Sequence, residues 1–112
     1  MKRLIVILFL SGFLIPFAYG EVIYWDDAVY IGDVTNNLPN GYGNFYARDG
    51  SAEYVGNFRN DEYHGRGVFI WGDGAVYLGQ WNRGVPQGPG IHIDSKTIFI
   101  GDFSNGDPWD TV

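Results

Sequence analysis

Few side chains in this 112-residue sequence have the chemistry to bind a metal or to catalyse. His64 and His92 lie 28 residues apart. Without cysteine, a metal site would need both histidines plus carboxylates, and no ligand-spaced motif surrounds either one. A hydrogen-bonded structural role is the expectation for both. The pairs Asp49-Gly50 and Asp73-Gly74 offer one or two acids each, whereas a calcium loop needs several oxygens at alternating positions. Asp26-Asp27 reads as a solvated turn. The glycine-rich stretches "GYGNFY" and "GRGVFI" lack the third glycine, the lysine and the following helix of a phosphate loop. Ser51, Ser95 and Ser104 fall at turn-like positions with no histidine motif beside them, and nothing singles out two acids for glycoside hydrolysis. The sequence therefore predicts no catalytic residue, no metal and no cofactor. A small hydrolase ranks last among its readings.

The first twenty residues differ from the rest. Lys2 and Arg3 precede an apolar run from Leu4 to Ala18, and Ala18-Tyr19-Gly20 places small residues one and three positions before Glu21. That layout predicts a secretory signal peptide over 1–20, cleaved after Gly20, and an exported (secreted or periplasmic) protein. The alternative is a retained N-terminal anchor, for which a run of about fifteen residues is short and Pro16 unfavourable. After cleavage, thirteen carboxylates face five cations (Arg48, Arg59, Arg66, Arg83 and Lys96), a net charge of −8. Such a chain repels nucleic acid and disfavours anionic membranes. A domain of this size without disulfides depends on packing alone.

The elements that must supply this packing repeat. "YIGDV" begins at Tyr30, "YVGNF" at Tyr54, "YLGQW" at Tyr77 and "FIGDF" at Phe99, in steps of 24, 23 and 22 residues. Eleven places after the first three openings stand Gly41, Gly65 and Gly88, and two places further on Gly43, Gly67 and Gly90. A fixed period in this range signals stacked supersecondary units. The opening-to-glycine distance is constant and the linker varies, so each unit is a rigid hairpin joined by a tolerant link. Seven places after each opening stand Asn37, Asp61, Gly84 and Gly106, residue types that accept a left-handed turn. Links are expected to turn at Asp49-Gly50, Asp73-Gly74 and Asp94-Ser95. Within the first strands, Tyr54-Gly56-Phe58 and Tyr77-Gly79-Trp81 alternate on one face. The expectation is that rings of one hairpin fill the space over glycines of the next.

These residues carry a resemblance. The pattern Y-x-G-x-[WF]-x-x-[GDN]-x-x-[HQN]-G-x-G, then D-G and another Y-x-G, resembles the MORN repeat (membrane occupation and recognition nexus). Its closest copy is Tyr54, Gly56, Phe58, Asp61, His64, Gly65, Gly67, Asp73 and Gly74. That copy leads into Tyr77, Gly79, Trp81, Gly84, Gln87, Gly88 and Gly90. The first unit has Tyr30, Gly32, Gly41 and Gly43 but Val34 for the second aromatic. The last keeps Phe99, Gly101, Phe103 and Gly106, then departs at Trp109, Asp110 and Val112. Before the first unit, "VIYWDDAVY" (Val22 to Tyr30) echoes "VFIWGDGAVY" (Val68 to Tyr77), one residue shorter. The resulting layout is a partial repeat over 21–29, repeats from about 30, 54 and 77, and a truncated capping repeat from 99. Arg66 and Lys96 are candidates for discouraging edge-to-edge pairing.

The expected fold is all-β: tandem antiparallel hairpins stacked into a short elongated sheet or solenoid. The resemblance implies a binding or dimerising element, since MORN arrays occur beside catalytic domains, at membrane junctions and in cytoskeletal scaffolds. Fold alone does not supply a function. The expected function is non-catalytic binding of a protein partner, or homodimerisation, through exposed aromatics: Trp25, Tyr42, Tyr63, Trp71 and Trp109. Such rings stack on sugars, dock extended peptides or form seams. A glycan-binding module and membrane-surface association are the alternatives, distinguished by calcium-independent retention on polysaccharide and by salt-insensitive vesicle binding.

Overall fold

The computed structural model describes the backbone of residues 2–7 and 19–111 and the side chains of 20–107. Residues 8–18, the centre of the segment expected to be a signal peptide, lie outside the described residues, as does the side chain of Trp109. Ten strands follow one another in chain order. They are β1 (Lys2–Ile7), β2 (Tyr19–Tyr24), β3 (Ala28–Thr35), β4 (Leu38–Ala47) and β5 (Ala52–Arg59). Then come β6 (Glu62–Trp71), β7 (Val76–Asn82), β8 (Val85–Ile93), β9 (Ile98–Ser104) and β10 (Asp107–Thr111). Each pairs antiparallel with the next, giving one open sheet in the order β1 to β10. The hairpins β3–β4, β5–β6, β7–β8 and β9–β10 coincide with the repeats.

The constant part of the repeat has a hydrogen-bond explanation. Every hairpin turn is a two-residue loop with both residues at positive φ: Asn36-Asn37, Asn60-Asp61, Arg83-Gly84 and Asn105-Gly106. That is the type I′ geometry, whose twist matches the strands. The position-seven residue then donates its N–H to the preceding hairpin: Asp61 to Pro39 O at 2.9 Å, Gly84 to Tyr63 O at 3.0 Å and Gly106 to Pro86 O at 2.9 Å. The spacing is invariant because each turn must meet a carbonyl of its neighbour. The first two links also meet a neighbour, with Arg48 N–H donating to Asp27 O and Gly72 N–H to Ser51 O at 2.9 Å, whereas in the β8–β9 link Asp94 N–H donates to Thr97 O of the same link at 3.0 Å. Within each link an aspartate also closes the turn, Asp49, Asp73 and Asp94 accepting from the backbone N–H groups of Ser51, Ala75 and Lys96.

One row of glycines crosses the sheet: Gly32, Gly43, Gly56, Gly67, Gly79, Gly90 and Gly101 are cross-strand partners in sequence. A Cβ on Gly43, Gly67 or Gly90 would fall onto the phenol of Tyr30, Tyr54 or Tyr77 respectively. Each tyrosine therefore lies over a glycine of its own hairpin, which corrects the expectation that rings cover the next one. The reason is that side chains lean along their strand. Tyr30, Tyr54 and Tyr77 reach forward until the hydroxyl donates to Asp33 O at 2.7 Å, Asn57 O at 2.8 Å and Gln80 O at 3.0 Å. A β-bulge follows each glycine of the first strand, between Gly32 and Val34, Gly56 and Phe58, and Gly79 and Trp81. Arg66 pairs with Gln80 inside the sheet, so it protects no edge. Lys96 sits in the β8–β9 link.

Candidate functional site

Rings rather than catalytic groups dominate one face of the sheet. The cross-strand row Ile23, Tyr30, Phe45, Tyr54, Phe69, Tyr77, His92 and Phe99 forms its base. Over it, the second aromatic of each unit meets the leading tyrosine of the unit before, edge to face. Tyr30–Phe58, Tyr54–Trp81 and Tyr77–Phe103 have centroids 5.0, 5.3 and 4.8 Å apart at 83°, 87° and 79°. The same rings also meet their own leading aromatic, as Tyr54–Phe58 and Tyr77–Trp81 do. The result is a continuous zigzag linking every unit to the next, each such contact adding roughly 0.5–1.5 kcal/mol beyond its burial. Where Val34 replaces the aromatic, the zigzag has no earlier tyrosine to meet.

The structure divides the sequence's candidate binding residues between different surroundings. Tyr63 stacks on Tyr54 with centroids 4.0 Å apart and is half-buried in the zigzag. Trp25 packs beside Phe45 at 6.2 Å on the same face. Trp71 lies at the rim against Phe69 and His92, and is 36% exposed. Tyr42 is on the opposite face and 60% exposed. Trp25 and Tyr63 thus come together, Trp71 lies along the same face, and Tyr42 cannot join them.

Trp25 and Tyr63, with Phe45 and Phe58, line a groove of about 400 Å³ across the first two hairpins. Its lining also contains Asp27, Asp61 and Glu62 and no lysine or arginine. Burial raises the Asp61 carboxyl pKa above the usual range, and the neighbouring Glu62 charge adds to the effect. Phe45 and the acidic rim were missed by sequence reasoning. Phe45 had a signal, since an aromatic ring recurs two places after the second paired glycine at Phe45, Phe69 and His92. The rim acids had none, because Asp27 and Glu62 come from separate turns.

A larger hollow of about 550 Å³ runs between the hairpin turns and is polar, lined among others by Arg59, Glu62, His64, Arg83 and Gln87. Its groups serve the stack in part: Gln87 Oε1 accepts from Asn105 N at 2.9 Å. Asn40 Oδ1, at the equivalent place two hairpins earlier, accepts from Asn60 N at 3.1 Å. Among the described residues no group of three or more histidine, aspartate or glutamate side chains is placed to hold a metal. The opposite face carries aliphatic rows, including Ile31, Leu78, Ile91 and Ile100.

Burial of the phenols makes the fold sensitive to alkali. Desolvation pushes Tyr63 up to about 12, with the Asp61 charge assisting, and raises Tyr30, Tyr54 and Tyr77 as well. The neutral phenol is the form that the folded state favours. Its contribution is complete below the unfolded value near 10 and is lost as pH rises toward 12. Phenolate absorbance and circular dichroism, followed together from pH 9 to about 12.5, are expected to change in one coincident transition. Free titration of all tyrosines near pH 10 with the fold intact would refute it.

A family model of the MORN repeat matches residues 30–52, 54–76 and 77–96. Alsin of Rattus norvegicus is 29% identical over 98 residues, covering 79% of this chain and 6% of alsin. Phosphatidylinositol 4-phosphate 5-kinase 1 of Oryza sativa subsp. japonica is 38% identical over 56 residues, covering 50% of this chain and 6% of the kinase. The chain thus spans only a small part of the length of either protein.

Proposed function

Because the chain belongs to the MORN repeat family, we propose that it is a non-catalytic, exported binding module that holds a segment of a partner protein in its aromatic groove. The observation that carries this reading is the groove itself: Trp25, Phe45, Phe58 and Tyr63 beneath Asp27, Asp61 and Glu62. Aromatic floors with polar rims are where binding energy concentrates in protein interfaces. The acidic rim and the charge of −8 after leader removal favour a neutral or cationic segment over an anionic surface. Export rests on the leader-like residues 1–20. The chain covers only 6% of alsin and 6% of the kinase, so neither protein's wider activity is carried here.

Immobilised protein should capture a specific partner from the extracellular or envelope fraction of its native source. Trp25→Ala is expected to weaken capture about 30-fold or more, as loss of an aromatic anchor does. The pair Asp27→Asn and Glu62→Gln should weaken it about tenfold, with salt weakening the unaltered protein similarly. Tyr42→Ser, on the opposite face, should change nothing. Equal capture by all three variants would remove the groove from consideration.

A further inference from the structure

The groove over the first two hairpins is a gap in the aromatic zigzag, and the next unit shows what closes the same place. Nine positions after the leading aromatic stand Pro39, Tyr63 and Pro86, and seventeen positions after it Ala47, Trp71 and Asp94. In the second unit Tyr63 and Trp71 close on Phe69, with ring centroids 5.9 and 4.7 Å away, and Trp81 joins them at 5.9 Å. The equivalent ring of the first unit is Phe45, whose contacts to Trp25 and Tyr63 are longer, 6.2 and 6.3 Å. Pro39 and Ala47 stand there in place of Tyr63 and Trp71, and the groove of about 400 Å³ opens beside them.

The rim departs from the repeat at the same place. Asp61-Glu62 stands where the neighbouring units have Asn37-Leu38 and Gly84-Val85. The hairpin turn forms with asparagine or glycine as well, so it does not require the acids. Asp27 joins them from the β2–β3 link. The cations of the described side chains are held elsewhere. Arg48 lies over the Tyr24 ring, 5.8 Å from its centroid, and Arg66 lies beside Tyr42 on the opposite face. Arg59 and Arg83 line the polar hollow, which shares Glu62 with the groove, and Lys96 is in the β8–β9 link. Among the described side chains, then, no cation lines the groove. Burial has already taken hydration from the Asp61 carboxylate, and a cation placed beside it offsets that cost.

We propose that the groove receives one lysine side chain of the partner segment, its alkyl stem on the Trp25, Phe45 and Tyr63 rings and its ammonium at the Asp27, Asp61 and Glu62 carboxylates. The inference rests on the groove as the binding site and names what it recognises there. Aromatic rings attract a cation through their π faces and give the methylene stem an apolar bed. Carboxylates from two separate turns suit the three diverging donors of an ammonium. The flat fork of a guanidinium favours a single carboxylate presented in its plane. A neutral apolar side chain would fill the gap but leave the rim carboxylates without a counter-charge, and an acidic one would be repelled.

The test titrates isotope-labelled protein, recovered from an exporting host, with n-butylammonium chloride, which carries the lysine stem and head alone. The neutral control is 1-butanol, and sodium chloride holds the ionic strength constant. Saturable NMR shifts are expected at the Trp25 indole N–H and at the Glu62 and Gly84 amides. The ammonium should bind about tenfold more tightly than the alcohol. Asp61→Asn and Glu62→Gln should each weaken n-butylammonium about threefold and leave 1-butanol unchanged, a split that a merely structural role of the acids would not give. Ala47→Trp supplies the ring that Trp71 provides in the next unit. It should abolish binding of both probes with the circular dichroism spectrum retained. Equal affinity for the two probes, shifts confined to positions remote from the groove, or tighter binding of n-propylguanidinium than of n-butylammonium overturns the inference. Partner capture through Trp25 that n-butylammonium does not inhibit also overturns it and leaves the groove reading standing. Binding of n-butylammonium with no partner captured overturns the protein-partner reading instead and leaves the ammonium site.

Discussion

Gly67→Ala is expected to lower stability by about 3 kcal/mol, the upper part of the range for overpacking a rigid core. For a domain of this size that corresponds to a fall in Tm of roughly 12–24 °C. The backbone at Gly67 has no positive φ, so alanine meets no conformational penalty there. The cost is steric: the new Cβ lands on the Tyr54 phenol. Tyr54 is fully buried, and its hydroxyl donates to Asn57 O at 2.8 Å, so the ring cannot retreat without losing that bond. Gly74→Ala is the informative comparison. Gly74 has φ +92° and nothing within 4 Å of an added Cβ, so its cost is backbone strain alone. About 1 kcal/mol is expected there. Denaturant titration of both variants separates the two causes. Equal losses would mean that the glycine row serves backbone freedom rather than close approach of the rings.

Trp81→Ala should cost about 3–5 kcal/mol, the range for emptying a buried large aromatic site. Trp81 is 5% exposed and meets Tyr54, Tyr63, Phe69 and Tyr77. Its indole N–H donates to Gly67 O at 3.2 Å. It thus joins the second unit to the third, and its loss interrupts the zigzag in the middle. Trp81→Phe should cost far less, about 1–1.5 kcal/mol, because phenylalanine fills the same place at Phe58 and Phe103. Trp71→Ala, at the rim, should cost less than Trp81→Ala. In a stack whose units contact only neighbours, the central loss also threatens cooperativity. Unfolding of Trp81→Ala followed by circular dichroism and by fluorescence should then give separate midpoints. Coincident midpoints with a loss under 1 kcal/mol would show that the edge-to-face contacts do not couple the units.

The packing also decides which aromatic side chains stay exposed, and short-range sequence does not. Tyr63 and Trp71 look alike in sequence as aromatics outside the repeat's invariant positions. Tyr63 becomes part of the zigzag, because the type I′ turn folds it back against Tyr54 and Phe58 of its own hairpin. Trp71 ends its strand beside a link and stays partly exposed. Tyr42 alternates away from Gly43 and Phe45 and faces the other side. One residue of register decides between such fates, and register follows from pairing across the whole sheet.

The repeat period, the hairpin turns and the all-β class were determined by the sequence alone, because each depends on short-range chemistry. Asn36-Asn37 or Asn105-Gly106 adopts left-handed backbone wherever it stands, and aromatic-x-glycine alternation works within one strand. Two matters were decided only by the tertiary structure. Tyrosine covers the glycine of its own hairpin, since the direction in which a ring leans depends on the carbonyl that its hydroxyl finds. The groove gathers Trp25, Phe45, Phe58 and Tyr63 with acids from separate turns, an arrangement that exists only once adjacent hairpins are stacked. Local sequence sets what each strand can be, and long-range pairing sets what it faces.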